Sequence, residues 1–268
     1  MKILITGSNS KIGTQLTKKL QKSGYKIIAF EGKGSQIWKL GERIPENFQA
    51  DVLIHLAHDR NFSVKQNVNA SQEICSSFSG HKIFLSSLSA HKQSDSKYGV
   101  SKFESEKIFL RNNSSVLRAG IVYGEDVGGI FEKLNKLVRF LPVIPVPYRG
   151  NNLFYTSHID DLIDEIVQQV IYPRHKIILA ANSYPLSFYH LIDKISKFNN
   201  LSRVLLPSPK QPLDFFFKNL VKLFPNIALA DSMLSLSKSV NYTELSILGQ
   251  PSTQFREFSL KFKNSLLK

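Results

Sequence analysis

Three polar residues between positions 87 and 102 have the types and the spacing that hydride-transfer chemistry needs: Ser87, Tyr98 and Lys102. Residues four apart share one face of a helix, so the Tyr98 hydroxyl and the Lys102 ammonium can lie together. A cation that close favours the phenolate and lowers the pKa of Tyr98, which makes this tyrosine a candidate acid/base near neutral pH. Ser87 could hydrogen-bond the same substrate oxygen. The alternative is a half-buried ring beside a solvated lysine, which is common on amphipathic helices.

A strand and a helix must position this set. Residues 83–85 form a short apolar run typical of a buried strand, which delivers the two following serines at its carboxyl end. After a polar loop, Ser94 or Asp95 can cap a helix that carries both Tyr98 and Lys102.

The N-terminal residues predict a nucleotide-binding turn. Lys2 to Thr6 is a β-type run that leads into two spaced glycines and then a helix ending near Gly24. This order of elements is the one that a dinucleotide fingerprint requires, because glycines permit a tight turn and close packing and a helix N-terminus attracts pyrophosphate. Ser10 stands where the pattern has its middle glycine and would slightly hinder the phosphates. The residues expected to contact the cofactor are Gly7, Ser8, Asn9, Ser10, Lys11, Ile12 and Gly13.

An acidic residue after the second predicted strand indicates the cofactor preference. Lys26 to Phe30 is this strand, and Glu31 follows it. A carboxylate about 20 positions past the glycines commonly holds the adenosine ribose hydroxyls, which favours NAD over NADP. Lys33 could instead meet a 2′-phosphate, and Glu31 could be an ordinary solvated residue. The prediction is NAD(P), with a lean to NAD.

The third predicted strand ends in polar residues at the sheet edge where ligands bind. Residues 51–57 form a nearly continuous apolar run, typical of a parallel sheet covered on both faces, and His58 and Arg60 follow it. His55 and His58 face opposite sides of an extended strand. Because Cys75 is the single cysteine of the chain, no supporting cluster exists and no metal site is expected.

Composition and charge restrict the class of protein. The 268 residues are 42% hydrophobic and can bury a full core, and the single cysteine fits a reducing compartment. The N-terminal apolar run is too short for a signal peptide, so we expect a cytoplasmic protein. The formal net charge is +14, but the basic residues are scattered as singles and pairs. Nucleic-acid binding is therefore not expected.

The ordered set of motifs resembles the extended short-chain dehydrogenase/reductases, in particular the NAD-dependent epimerase/dehydratase group that acts on nucleotide sugars. The resemblance covers residues 1 to about 165 well and the remainder loosely. The motifs that carry it are Thr6-Gly7 with Gly13, His55-Leu56-Ala57, Asn67-Val68-Asn69, Ser86-Ser87, Tyr98-Gly-x-Ser-Lys102, Leu117-Arg-Ala-Gly-Ile-Val-Tyr-Gly124 and Phe154-Tyr-Thr-Ser-His-Ile-Asp-Asp-Leu162.

The resemblance implies an α/β fold, a Rossmann-type doubly wound parallel sheet with a small, mostly helical C-terminal substrate lobe. It implies that Tyr98 is the catalytic acid/base, that Lys102 holds the nicotinamide ribose and that Ser87 orients the substrate oxygen. A homodimer is usual for the group. Besides Tyr98, Lys102 and Glu31, further expected cofactor contacts are Leu56, Ala57, His58, Asn67, Ser86, Ala119 and Ile121. The expected substrate contacts are Ser87, Arg60, His91, Tyr123 and Arg149.

Two departures bear on the reaction. Ala119 and Ile121 stand where the group often has Pro and Asn, which leaves the identity of the sugar open. The dehydratase branch carries an Asp-Glu pair after its active-site hydroxyl residue, whereas Ser87 is followed by Leu-Ser-Ala-His. Dehydration is therefore disfavoured, and 4-epimerisation or ketosugar reduction remains, in surface-polysaccharide synthesis. The alternatives are a catalytically silent nucleotide-binding regulatory protein and a membrane-docked enzyme on a lipid-linked sugar.

The remaining segments predict a division into two parts. We expect an NAD(P)-binding domain over residues 1–182, with 119–150 contributing in part to the substrate site, and a substrate-binding lobe over 183–268. The patterns predict helices at 128–141, 160–172 and 187–199, strands at 175–181 and 203–206, and a break at the proline-rich run 142–147. Two apolar segments remain, the helix predicted at 212–224 and the phenylalanine-rich tail from Gln254. Each could pack in the core, at a subunit interface or on an anionic membrane. We expect core packing, and we expect membrane docking to be absent or weak.

Overall fold

The computed structural model describes residues 1–30, 38–94, 96–125, 127–147, 150, 152–208 and 248–260. The helices are α1 (Lys11–Lys22), α2 (Val64–Ser77), α3 (Lys97–Arg111), α4 (Gly129–Phe140), α5 (Ile159–Ile171) and α6 (Phe188–Phe198). The strands are β1 (Lys2–Thr6), β2 (Lys26–Phe30), β3 (Val52–His55), β4 (His81–Ser87), β5 (Ser114–Ala119), β6 (Ile121–Tyr123), β7 (Val143–Pro147), β8 (Leu153–Phe154), β9 (Thr156–His158), β10 (Ile177–Ala180), β11 (Leu186–Ser187) and β12 (Val204–Ser208).

Six of these strands form one parallel sheet in the order β10-β5-β4-β3-β1-β2. The order reverses beside β1, since β2 pairs on one side of it and β3 on the other. In such a doubly wound sheet the crevice for ligands opens at the carboxyl ends of the strands, next to this reversal. The predicted fold class is confirmed.

Both faces of the sheet are covered, and the alternation of side chains along β1 shows how. Ile3 and Ile5 pack into the apolar cluster that contains residues of α1 and α5, whereas Leu4, between them, packs into the cluster that contains residues of α2 and α3. All three side chains are fully buried. Near-continuous apolar strands are the expected consequence of a sheet sandwiched between helices.

Besides the clusters on the two faces of the main sheet, the chain has a separate apolar core, named the second cluster, which joins α4 and α6 to the short two-stranded sheets β6–β9, β7–β12 and β8–β11. The predicted helices α4, α5 and α6 are confirmed, and β10 adds an edge strand to the main sheet as expected. The predicted break is confirmed, since α4 ends before the proline-rich run, and this run then forms the strand β7, parallel to β12. The chain ends α4 at Phe140 but stays extended afterwards, because Ile144 and Val146 are buried in this second cluster.

Residues 248–260 return to the main sheet. Gly249 forms a parallel bridge with Ile178 of β10, and Phe255 is buried in the cluster between the sheet and α5. Phe258 is buried in the second cluster. Core packing of the tail is thus confirmed for these residues. The division expected after residue 182 remains a prediction, and the last described residues contact both of its parts.

The apolar helix predicted at 212–224 and the end of the tail at Phe262 and Leu266 lie outside the described residues. Within the ranges described above, no helix is both long and apolar enough to cross a membrane.

Candidate active site

The turn between β1 and α1 requires glycine at both predicted positions. Gly7 has φ +74°, and a Cβ atom there would lie 2.8 Å from the Ala57 amide nitrogen. A Cβ atom on Gly13 would lie 2.3 Å from the Gly7 carbonyl oxygen. Real Cβ atoms do not approach so closely, so any side chain would push the helix away from the turn or the turn away from β3. The predicted roles of the two glycines in packing are confirmed.

Ser10 replaces the middle glycine for a local reason. It is the N-cap of α1, and its Oγ accepts a hydrogen bond of 3.0 Å from the Gly13 amide. Serine is among the preferred N-cap residues, because it satisfies a helix amide that would otherwise lack a partner. The buried Ser8 hydroxyl donates to the Phe30 carbonyl oxygen at 3.0 Å, which ties the turn to β2. The cofactor contacts expected from the turn remain predictions.

The loop after β3 lies beside this turn and is fastened by one asparagine. The Asn67 side chain donates to the Asp59 carbonyl oxygen at 2.9 Å and accepts from the Asp59 amide at 3.3 Å. Asn67 is buried and therefore holds the loop in one conformation. This loop carries His58 and Arg60, two of the predicted site residues. Asn67 acts on the site through the loop, whereas its expected position near the nicotinamide remains a prediction.

The structure brings His58, Ser87, Tyr98 and Lys102 together at the carboxyl edge of the sheet. The His58 and Tyr98 rings meet edge to face, with 4.9 Å between their centroids. Ser87 lies close enough to Tyr98 to oppose the rise of its pKa, and the Ser87 hydroxyl oxygen accepts a hydrogen bond of 3.0 Å from the Ser89 hydroxyl. The Lys102 ammonium lies 5.9 Å from the Tyr98 ring centroid. The predicted proximity of Tyr98 and Lys102 on one helix face is confirmed.

The predicted lowering of the Tyr98 pKa is wrong. Desolvation by the surrounding protein raises this pKa, and the opposing effects of the Arg60 charge and of Ser87 are smaller. Because 37% of Tyr98 is exposed, solvent moderates the rise. Tyr98 is therefore a protonated phenol at neutral pH, a state suited to donating a proton rather than accepting one.

Lys102 is buried under the site rather than solvated. Only 4% of it is exposed, its ammonium donates to the Leu85 carbonyl oxygen at 2.7 Å, and it lies 4.5 Å from the centroid of the Phe84 ring. Burial lowers the Lys102 pKa to about 7, against the Glu106 carboxylate, which raises it. The alternative interpretation of a solvated lysine is thus excluded.

Ser86, which was expected to contact the cofactor, points instead at a buried ion pair. Its hydroxyl donates to Glu106 Oε1 at 2.6 Å. Arg118 binds the same carboxylate with two hydrogen bonds, 2.9 Å from Nε to Oε1 and 2.7 Å from Nη2 to Oε2. Sequence reasoning missed this pair, although Glu106 follows Lys102 by four residues and so had to share its helix face.

The helix that carries Tyr98 begins later than predicted. Ser96 is its N-cap and accepts a hydrogen bond of 3.0 Å from the Gly99 amide, so the predicted cap at Ser94 is wrong, and Asp95 lies outside the described residues. A Cβ atom on Gly99 would lie 2.1 Å from Ser94 Oγ. Gly99 therefore allows the preceding loop to pack against the first turn of α3, next to Tyr98.

Tyr123 is not placed as expected. It is fully buried in the second cluster, and its hydroxyl donates to the Glu257 carbonyl oxygen at 3.0 Å. Desolvation raises its pKa to about 12. This placement gives Tyr123 a packing role and does not support the expected substrate contact. Ile121 is buried in the same cluster, and Ala119 is buried at the end of β5, in register with Ser87.

Two of the other predicted site residues, Arg60 and His91, lie within the described part of the chain. Arg60 is exposed beside Tyr98, and His91 is partly exposed in the loop before α3. Glu31, Lys33 and Arg149 lie outside the described residues, so the proposed cofactor preference and phosphate contact remain predictions.

No group of three or more His, Cys, Asp or Glu residues that could hold a metal ion occurs in the described parts of the chain. His55 has a packing role, because its ring stacks on Phe84 and Phe109 and its Nδ1 lies 2.6 Å from Thr6 Oγ1.

Many solved structures share this fold, and the following three are distant from this chain in sequence. UDP-glucose 4-epimerase from Thermotoga maritima, solved with UDP-glucose, is 17% identical over 78% of this chain and 86% of its own, with a TM-score of 0.64. An NAD-dependent NDP-hexosamine 5,6-dehydratase of tunicamycin biosynthesis is 18% identical over 78% and 85%, with a TM-score of 0.65. The dTDP-4-dehydrorhamnose reductase from Clostridium acetobutylicum is 15% identical over 79% and 85%, with a TM-score of 0.65.

This chain has the fold of those enzymes. At such identities the likeness extends to the fold and not to the activity. No protein-family model matches the chain, and no curated protein sequence matches it.

Proposed function

We propose that this chain is an NAD(P)-dependent oxidoreductase or epimerase that acts on a nucleotide-linked sugar. The observation that carries the proposal is an unbroken line of contacts along the carboxyl edge of the sheet. Gly7 packs against the Ala57 backbone, the next residue, His58, packs edge to face on the Tyr98 ring, and Ser87 lies close enough to Tyr98 to influence its pKa. A dinucleotide turn and a proton-donating group are thus neighbours, as hydride transfer requires.

The β1–α1 turn fits a dinucleotide. Its two glycines let the turn pack closely against the end of β3 and the first turn of α1, where a side chain at either position would clash. A tight glycine turn that leads from a strand into a helix N-terminus is the arrangement that suits a pyrophosphate. When bound, the nicotinamide would supply the hydride that the side chains cannot. Similar structures were solved with NAD, and the one from Pseudomonas aeruginosa was solved with NADPH. The lean to NAD rests on Glu31.

Each side chain of the site has a separate task under this proposal. Protonated Tyr98 donates its proton to the substrate oxygen, and Ser87 holds that oxygen in place. Lys102, whose pKa is near 7, supplies an ammonium close to the tyrosine and to the ribose that the resemblance assigns to it. Protonated Tyr98 is the form that donates a proton when a keto group is reduced.

The substrate class rests on charge and on the compared structures. Arg60 is exposed next to Tyr98 and could hold the phosphates of a nucleotide sugar in a charge-assisted hydrogen bond. Two of the similar structures contain UDP-glucose and one contains UDP-glucuronic acid. The Asp-Glu pair of the dehydratase branch does not follow Ser87 in this sequence. We therefore propose epimerisation or reduction and not dehydration.

The test compares Tyr98→Phe with Tyr172→Phe, which removes the same oxygen from a tyrosine that is 68% exposed. Dinucleotide affinity is measured by titration, and turnover is measured with UDP- and dTDP-linked hexoses and 4-ketohexoses. Tyr98→Phe should lower turnover by about 10²–10⁴ and keep its affinity for the dinucleotide, since a positioned acid/base contributes about that much. Tyr172→Phe should match the parent.

Three other results would count against the proposal. If Tyr98→Phe turns over like the parent, the assignment of the site is wrong. If the parent binds a dinucleotide but converts none of the sugars, the silent regulatory alternative is favoured. If it binds no dinucleotide, the proposed function fails altogether.

A further inference from the structure

Helix α3 carries two glutamates with opposite surroundings. Glu104 pairs with Lys107 at the surface, where both side chains are at least 40% exposed. Glu106 is 1% exposed and accepts hydrogen bonds from Ser86 and Arg118, and Arg118 is itself 7% exposed. Burying two full charges is costly, and an apolar pair of similar size would fill the same space. The position of Glu106, one helix turn from Lys102 on α3, gives the pair a use.

Lys102 and Glu106 are fixed to consecutive residues of β4. The Lys102 ammonium donates to the Leu85 carbonyl oxygen, and the Glu106 carboxylate accepts from the Ser86 hydroxyl. The two side chains are one helix turn apart on the face of α3 that meets the sheet. Their relative position is therefore set by the strand as well as by the helix.

The other titratable groups around Lys102 do not favour its ammonium ion. From β3 and the loop after it, His55 and His58 face Lys102, and each has a pKa lowered by burial first and by the Lys102 charge second. From α3 itself comes Tyr98. Arg118, on β5, acts on Lys102 through its ion-pair partner Glu106. Among the described residues, the charge that favours protonated Lys102 is that of Glu106.

We propose that Glu106 is a positioning residue that raises the fraction of Lys102 in its charged form, and that Arg118 weakens this effect by partly neutralising the Glu106 carboxylate. The inference rests on the proposed function for its consequence in catalysis. It does not depend on that function for its test, because the protonation of Lys102 can be followed without cofactor or substrate.

The proposal makes opposite predictions for the two partners of the ion pair. Glu106→Gln removes the anion and leaves the Arg118 cation unpaired, so Lys102 should lose its proton more easily, with an acid dissociation constant at least about tenfold larger. Arg118→Met leaves Glu106 without a counter-ion, so Lys102 should hold its proton more tightly by a similar factor. A purely structural ion pair would not shift Lys102 in opposite directions.

The measurement is a pH titration of lysine ¹³Cε signals by NMR on the full chain. Solvated lysines titrate near pH 10.4, well away from a signal with a midpoint near 7, and the signal missing in Lys102→Arg identifies Lys102. Glu104→Gln is the matched control, because it makes the same change two residues away on the exposed face. It should leave the Lys102 midpoint where it is.

The double variant Glu106→Gln/Arg118→Met guards against loss of the fold, since it removes both buried charges and leaves neither unpaired. The expected order of Lys102 midpoints, from highest to lowest, is Arg118→Met, parent, double variant, Glu106→Gln. The proposal is overturned if the double variant titrates like the parent, or if both single variants shift Lys102 in the same direction. Failure of the sugar assays would contradict the proposed function but would leave this order of Lys102 midpoints unchanged.

Discussion

Two buried carboxylate–arginine clusters lie on this sheet, and they serve different ends. In the first, Glu106 pairs with Arg118 and lies one helix turn from Lys102 on α3. In the second, on α5, Glu165 is fully buried and accepts from the Arg174 side chain and from the amides of Ser252 and Thr253.

The second cluster extends one helix turn towards the N-terminus of α5. Asp161 accepts hydrogen bonds from the Arg256 backbone amide, at 2.8 Å, and from its guanidinium group. Every partner of this aspartate and most of those of Glu165 lie in or contact residues 248–260. The cluster therefore fastens the returning segment to α5.

The difference lies in what surrounds the carboxylates. The α5 cluster binds backbone amides, which do not titrate, and the effects of Asp161 and Arg256 on the pKa of Tyr123 oppose each other, so its charge mainly holds the chain. The α3 cluster has a buried lysine beside it, and Glu106 raises the pKa of that lysine. The same pair of residue types thus fastens the chain in one place and acts on a neighbouring titratable group in the other.

The largest expected effect is on the α5 side. Glu165→Gln should lower the free energy of unfolding by about 3 kcal/mol, the low end of the range for a broken buried pair, because it leaves Arg174, whose side chain is 28% exposed, without its anion and weakens two amide contacts. Urea unfolding measures this loss. Dinucleotide affinity, measured where the variant is still folded, should stay at the parent's value. A large loss of affinity in the folded variant would break the comparison.

A smaller effect is expected from Asp161→Asn, because its partner Arg256 has a side chain that is 51% exposed. The loss should be about 1.5–3 kcal/mol, the range for hydrogen bonds to charged groups. Hydrogen exchange of the amides in 248–260 is the sharper measurement: it should accelerate there while the amides of β1 and β4 stay protected. Uniform acceleration along the whole chain would mean that Asp161 does more than fasten this segment.

The smallest expected effect is the loss of unfolding free energy at low pH that comes from His58, beside the candidate site. Burial lowers the His58 pKa to about 3, from 6.5, with smaller contributions from Lys102 and Arg60. Between these values the unfolded chain binds more protons than the folded one, so stability is fully present above pH 6.5 and is lost as the pH falls below it. From pH 7 to 5.5 the loss should be about 1 kcal/mol.

The matched comparison is His81, at the amino end of β4, whose pKa burial lowers to about 4. His58→Asn and His81→Asn should each flatten the decline of unfolding free energy between pH 7 and 5.5, measured by urea titration. Only His58→Asn should also alter the titration of Lys102, because only His58 lies beside it. An equal effect of both variants on Lys102 would contradict the distinction.

The fold could be predicted because its signals are local. Apolar runs fix β1, β3 and β4, and the glycine spacing fixes the turn after β1. The proximity of Tyr98 and Lys102 in the candidate site was also predictable, since the two residues had to share a helix face. The pKa of Tyr98 was predicted in the wrong direction, because the charge of Lys102 can be read from spacing whereas the cost of desolvation depends on residues packed from other elements.

What sequence could not supply are the contacts between distant segments. Ser86 has the right type and position to meet a cofactor, but its hydroxyl is used by Glu106, 20 residues away. Tyr123 belongs to a motif that resembles a substrate contact, but its hydroxyl is used by the carbonyl of Glu257, 134 residues away. Neither partner can be identified from spacing, because each pairing depends on how the sheet and the returning segment are assembled.

The bridge between Gly249 and β10 has a consequence for the order in which the protein is made. The ribosome adds about 5–20 residues per second, so β10 is complete about 4–15 s before Phe255 is synthesised. During that interval the nascent chain holds a parallel sheet whose last strand lacks its neighbour and whose apolar face on α5 lacks a large ring. Unpaired strand edges invite association with other chains. Until residues 248–260 have been synthesised, the edge of β10 that Gly249 covers in the folded chain is open to pairing with other chains.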